Sequence, residues 1–388
     1  MRKQRVGEVR PQSKRFNVTR KQKPRGHGVF RPLPPPTGPA PYRMEISSVL
    51  DPRVMSRIQK AGKMVLHMVG DTGGVKNPTP QLIVAKQMEM QLHTDKLEDS
   101  PAFFYHLGDV VYFFGEAQEY FPQFYDAYEY YNRPILAIPG NHDGGVGDEA
   151  IPSLDAFMRN FCALSPSITP EAGDVNRDAM TQPNCYFTLN TPLATIIGLY
   201  TNVPEGGKVE QDQREWFVGE LSAAPKGKAV LVAMHHPPLS MDDHHSGSEE
   251  MRILLEDSFR KSGRVPTAVF SAHVHNYQRF TVRVRGDIEV SYIVAGNGGY
   301  HNLHQIPKGP DGEPLDTPLE LPDENARLEA YVDDRHGFLR LTITAATLKG
   351  EFFPCPRPHE SWSRPAKRYD VFEVKVKDHM LAPSSLNT

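Results

Sequence analysis

Apolar and polar positions in this chain follow a repeated layout: a short apolar run ends in a glycine-containing polar turn, and a helical pattern follows. Lys63-Met-Val-Leu-His-Met-Val69 reads as a strand and runs into Gly70-Asp71-Thr72-Gly73-Gly74. Val84, Met88 and Leu92 then fall at i, i+4 and i+8, the spacing of an amphipathic helix. A polar, helix-like stretch precedes this unit from about Met44. The second run, Ala102-Phe-Phe-Tyr105, delivers Leu107-Gly-Asp109-Val-Val-Tyr112, and an aromatic helical segment is predicted from Glu116 to Tyr131. The third, Pro134 to Ile138, delivers Pro139-Gly-Asn141-His142-Asp143. The repetition predicts that loops at one edge of a sheet, past the carboxyl ends of its strands, collect the polar residues.

Downstream the pattern predicts a helix from Ile151 to Cys162, a polar excursion to about Pro183, and strands Cys185 to Leu189 and Ala194 to Tyr200. A helix from Glu210 to Leu221 carries the apolar stripe Trp216, Phe217 and Leu221, read as core packing. The strand Ala229 to Met234 runs into His235-His236-Pro237-Pro238, and a polar loop reaches His244-His245 before a helix from Glu249 to Lys261. Thr267 to Ser271 delivers Ala272-His273-Val274-His275, and Phe280 to Arg285 with Ile288 to Val294 form a hairpin turning at Gly286-Asp287. Residues 301 to about 335, rich in Pro, Gly and acids, read as a long surface loop or lid. Strands near 337–346, 350–353 and 371–376 complete the chain, with no internal repeat and no second complete core.

Composition changes this picture in one place. Residues 1–43 hold twelve Lys or Arg and one acid, whereas the rest holds 32 basic and 46 acidic residues, so a tail of +11 precedes a body of −14. The tail, Pro/Gly-rich toward its end, is predicted to be disordered or draped, and its charge allows contact with nucleic acid or another polyanion. Residues 44–388 form one domain, since 388 residues at 39% apolar can bury a large core. The odd set Cys162, Cys185 and Cys355, without Cys-x-x-Cys spacing, reads as buried reduced thiols. With no apolar run long enough to span a bilayer and no signal-like start, the expectation is a cytoplasmic chain with no membrane partner.

Each polar cluster alone is a turn or a satisfied loop pair; their common placement is what points to chemistry. Five predicted strands end in an oxygen or imidazole ligand: Asp71, Asp109, Asn141, His235, and His273 with His275. Two metal ions about 3.5–4 Å apart need that mixture of hard oxygen donors and neutral imidazoles, with one carboxylate placed to bridge. Asp109 with Tyr112, three residues on, is an unusual oxygen pair for such a site.

The series Gly70-Asp71-Thr72-Gly73, Gly108-Asp109-Val-Val-Tyr112, Gly140-Asn141-His142-Asp143, His235-x-Pro237 and His273-Val274-His275 resembles the calcineurin-like metallophosphoesterases, and within them the purple acid phosphatases. Most of the superfamily has a metal-binding histidine where this chain has Gly73; the purple acid phosphatase branch lacks it and uses a tyrosine at the place of Tyr112. The resemblance implies an α/β (α+β) fold, a four-layer α/β/β/α sandwich of two mixed sheets flanked by helices. It implies Fe(III) at Asp71, Asp109, Tyr112 and His275, and Fe(II), Zn or Mn at Asp109, Asn141, His235 and His273, with Asp109 bridging. His142, His244 and His245 take the positions of substrate-facing histidines, and His245 or His142 would protonate the leaving alkoxide. The implied reaction is hydrolysis of a small phosphate monoester by a metal-bound hydroxide. The alternatives are a phosphodiesterase or nucleotide diphosphate hydrolase on the same site and, more remotely, a non-catalytic metal-binding scaffold. Ala272, Gln278 and Asp143 depart from the family pattern at positions that are not ligands.

Overall fold

The computed structural model describes residues 18–20, 29–242, 244–286, 288–309, 311–377 and 379–380. Two mixed sheets carry the fold. The six-stranded sheet runs Asp370–Lys375, Thr347–Pro354, Gly337–Thr344, Lys63–Val69, Phe104–His106, Ile135–Ala137. The nine-stranded sheet runs Leu319–Leu321, Ala326–Val332, Tyr277–Arg285, Ile288–Ala295, Ala268–Ser271, Ala229–Ala233, Ala194–Gly198, Phe187–Asn190, Arg43–Glu45. In each sheet the strands that precede the polar turns are parallel neighbours: Lys63–Val69 with Phe104–His106 and Ile135–Ala137, and Ala229–Ala233 with Ala268–Ser271.

Alternation along the strands sorts their side chains into layers. Leu66, Met68, Tyr105 and Leu136 from one sheet meet Ile196, Leu231, Phe270 and Ile293 from the other in a shared core. The opposite face of the six-stranded sheet, with Val69, Phe104 and Ile135, packs on the helices Thr79–Met90 and Asp155–Phe161. The opposite face of the nine-stranded sheet, with Ile197, Val230 and Val269, packs on Gln211–Ala223 and Glu249–Ser262. The result is the α/β/β/α sandwich. Helix limits are local chemistry: Ser248 accepts from the Met251 amide to start Glu249–Ser262, and Gly263, at φ 67°, ends it. Phe217 and Leu221 are core, while Trp216 is half-buried and its indole donates to the Pro41 carbonyl.

Three sequence expectations change. The segment predicted as a lid, 301 to about 335, is irregular only to residue 318; Leu319–Leu321 and Ala326–Val332 are strands of the nine-stranded sheet. Ala326, Leu328, Ala330 and Val332 alternate inward, and the charged residues between them face outward from the margin of the sheet. The aromatic segment Glu116 to Tyr131 is not one helix but the short turns Ala117–Glu119 and Phe121–Tyr125, held by packing of Tyr120, Phe124, Tyr125 and Tyr128. The second strand lies slightly later than expected, at Phe104–His106.

Residues 29–43 drape over the body: the Arg31 amide donates to Asn202, and Arg43 pairs with Glu220 at 2.9 Å. Val18 is buried, and its carbonyl accepts from the amides of Ser240 (3.0 Å) and Gly247 (3.1 Å). Thr19–Arg20 pairs in parallel with Gly247–Ser248, and residues 1–17 and 21–28 lie outside the described residues. The three cysteines are buried and free, and among the described residues no helix is long and apolar enough to cross a membrane.

Candidate active site

The polar turns of both sheets converge at one seam, and all seven expected donors are there. Asp71, Asp109 and His273 leave their strands with φ of 54°, 54° and 66°. Left-handed backbone at non-glycine residues costs about 1–3 kcal/mol each, and it is found here at three side chains that must turn sharply into the seam. Neighbouring glycines clear the space. A Cβ on Gly140 would sit 2.1 Å from the Asp109 carboxylate. A Cβ on Gly73 would meet the Tyr112 ring at 2.6 Å, so the phenol occupies the volume that a side chain at position 73 would need.

Two donor groups form. In the first, the Tyr112 hydroxyl donates to Asp71 Oδ1 at 3.1 Å and His275 Nε2 lies 3.5 Å from the same oxygen. In the second, Asn141 Oδ1 lies 3.1 Å from His235 Nε2 and 3.0 Å from His273 Nδ1, and His235 Nε2 is 3.3 Å from Asp109 Oδ2. Ligands about 2.1 Å from one metal ion stand about 3.0–3.4 Å apart at octahedral or tetrahedral angles, so these edges fit a metal polyhedron. Asp109 stands between the groups: burial raises Asp71 and Tyr112 on one side and the Asp109 charge raises them further, while on the other side burial lowers His235 and the Asp109 charge raises it.

The ring tautomers are set from behind. His235 Nδ1 faces the Leu107 carbonyl at 2.9 Å and His275 Nδ1 faces that of Asn302 at 2.8 Å, so both rings donate outward and turn Nε2 lone pairs into the seam. Those lone pairs meet carboxylate and amide oxygens, an arrangement that a cation or a proton must resolve. Burial holds His273 down to about 4 and His275 down to about 3, which keeps them neutral. Burial also lowers His235, but Asp109 and Asp71 outweigh it and push it up to about 9. Burial, then the two carboxylates, hold the Tyr112 phenol well above its usual range. A bound cation would take the place of both protons.

The expected substrate-facing histidines share the cleft beside these groups, whose volume is about 460 Å³. His142 donates its amide to Asp109 Oδ1 (2.9 Å) and its ring Nδ1 to the Phe113 carbonyl (2.9 Å). His245 Nδ1 donates to Glu205 at 2.9 Å, leaving Nε2 for the cleft, and exposed His244 packs on it with ring centres 4.6 Å apart.

Sequence reasoning missed Glu205, Asp242, Tyr300 and His304. Glu205 touches His245 and lies 3.8 Å from His273; burial would raise it, but these imidazoles hold its carboxyl below the usual range. Asp242 accepts from the His245 amide at 3.0 Å and faces His304 Nδ1 at 3.2 Å. Tyr300 stacks between Tyr112 (4.3 Å) and His275 (4.6 Å). Two of the three nonligand departures, Asp143 and Gln278, are structural. Asp143 accepts from the amides of Gly140, Val110 and Val111, and Gln278 accepts from the Met241 amide in the histidine loop.

A family model described as calcineurin-like phosphoesterase matches residues 64–277. Among solved structures, GAP50, the anchor in the inner membrane complex of Plasmodium, superposes with a TM-score of 0.55 at 13% identity, covering 83% of this chain and 92% of its own. PhoD gives 0.49 at 13% identity, over 84% and 72%. A dimetal phosphatase from Danio rerio gives 0.44 at 9%, over 81% and 99%. No curated protein matches.

Proposed function

The chain belongs to the calcineurin-like phosphoesterase family, and from that premise we propose that it hydrolyses phosphate monoesters at a two-metal centre of the purple acid phosphatase type. Asp71, Asp109, Tyr112 and His275 would hold a ferric ion; Asp109, Asn141, His235 and His273 would hold Fe(II), Zn or Mn. The single observation that carries the reading is the pair of donor groups with edges of 3.0 to 3.5 Å, imidazole lone pairs turned inward by carbonyls behind them. An anionic phenolate and two carboxylates suit a trivalent ion on one side; an amide and two imidazoles suit a divalent ion on the other.

When bound, such ions lower the pKa of a coordinated water and neutralise charge on the phosphoryl oxygens. The chain's own residues do the remainder. His142 and His245 each donate Nδ1–H to a fixed acceptor, so each can present Nε2 to the ester, and one of them protonates the leaving alkoxide. His244 adds a third imidazole at the mouth. Asp143 holds the Asp109 and Asn141 loops in register through three backbone amides.

The test is metal analysis, a visible spectrum and paired turnover of para-nitrophenyl phosphate and its bis ester by the purified full chain. The expected result is two ions per chain, a tyrosinate-to-iron band and faster hydrolysis of the monoester. Asp109→Asn should lower the rate by about 10³-fold or more and release metal. Unchanged metal content and activity in that variant would sink the assignment, and an active, colourless, iron-free protein would overturn the ferric site alone.

A further inference from the structure

Resting on the hydrolase reading, we propose that the cleft selects esters carrying a single phosphoryl group on an uncharged apolar or aromatic alcohol. Glu205 is the residue that rejects a second phosphate. The cleft of about 460 Å³ exceeds the need of a phosphoryl group, so its walls meet the leaving group, and they are unlike one another.

One wall is apolar. Phe113 and Phe114 are half-buried beside the His142 turn, with the Phe113 ring centre 6.0 Å from that of His142. A Cβ built on Gly144 would meet Val203 at 3.3 Å, so that glycine lets Val203 close in, and Phe114 lies within ordinary van der Waals reach of Gly145. The facing wall is Glu205 with His245, 2.9 Å apart, backed by His304 and Asp242.

No Lys or Arg is among the described residues that line the cleft. Lys76 stands over the Phe113 ring, 5.5 Å from its centroid, is exposed and is not part of the lining. A second phosphate beyond the donor groups would therefore lose its water against aromatic rings or face the Glu205 carboxylate, with no lysine or arginine among the described lining residues to receive it and with His245 already engaged by Glu205. Selectivity then comes from repulsion of the wrong substrate as well as from packing of the right one. An uncharged aryl or alkyl group meets neither penalty and gains contact with Phe113 and Phe114.

Two variants separate the walls. Glu205→Gln keeps an amide oxygen to accept from His245 while removing the charge. Phe114→Ala opens the apolar wall. With the metal-loaded full chain, kcat/KM for benzyl phosphate should exceed that for ADP or pyrophosphate, and Glu205→Gln should raise the ADP to benzyl phosphate ratio about tenfold. Competitive inhibition by benzylphosphonate should be tighter than by methylphosphonate, and Phe114→Ala should remove most of that difference while metal content stays at the wild-type level. A wild-type chain that treats ADP and benzyl phosphate alike, or a Glu205→Gln ratio equal to wild type, overturns this inference alone. A chain that holds two ions but turns over none of these esters overturns the hydrolase reading, and this inference with it.

Discussion

Gly73 and Tyr112 share one volume, and this is where a single residue decides the character of the site. Alanine at 73 would put a Cβ 2.6 Å from the Tyr112 ring and 2.5 Å from the Gln123 amide oxygen that holds the Tyr112 backbone. Gly73→Ala should therefore displace the phenol and, if the proposed ferric site holds, weaken its visible band and reduce metal retention about tenfold, read by metal analysis after dialysis. The convergence of the seven candidate positions was legible because they lie at or just past the ends of apolar runs, a signal confined to a few neighbours. Glu205, Asp242 and His304 have no such signature. They sit in irregular loops past strands of the nine-stranded sheet, and only the assembly of that sheet brings Glu205 to His245 and Asp242 to His304. Their roles are fixed by contacts between residues 40 and 62 positions apart, which no local pattern encodes.

At the scale of elements, the strands nearest the seam were read closely, and the misreadings lie where two signals compete. In Ala326–Val332 an alternation was present, but the surrounding Pro, Gly and acids matched a loop. In 116–131 the aromatic content matched a helix, yet interdigitation of the rings outweighed regular hydrogen bonding. One contact between elements has a measurable weight. Asp370, on the margin of the six-stranded sheet, accepts from the Tyr277 hydroxyl at 2.7 Å and from Arg279 at 2.7 and 3.0 Å on the other sheet, beside Tyr277 stacked on Phe352 at 4.0 Å. Asp370→Ala leaves that guanidinium and phenol without their acceptor and should cost about 3–5 kcal/mol in urea unfolding. Asp370→Asn, which keeps an acceptor, should cost less.

For the whole molecule, acid sensitivity follows from imidazoles folded away neutral. Burial pushes His67 down to about 3, between Tyr131 and Gln91. Because its folded pKa is depressed below the unfolded value near 6.5, its contribution is complete above that pH and is lost as pH falls toward 3. The slope from one such group reaches about 1.4 kcal/mol per pH unit. Urea midpoints measured from pH 7 down to 4 should fall more steeply in wild type than in His67→Gln, whose amide can bond both neighbours; equal slopes would refute the assignment. The placement of the donors carries a further consequence. Asp71, Asp109, Tyr112 and Asn141 hang from one sheet and His235, His273 and His275 from the other, so each ion held there would be a clasp across the seam. Free metal at a thousand times its dissociation constant adds about 4 kcal/mol to such a fold. Site loading and folding then become one equilibrium, and the supply of ions in the surroundings sets how long the sandwich stays closed as well as how fast it works.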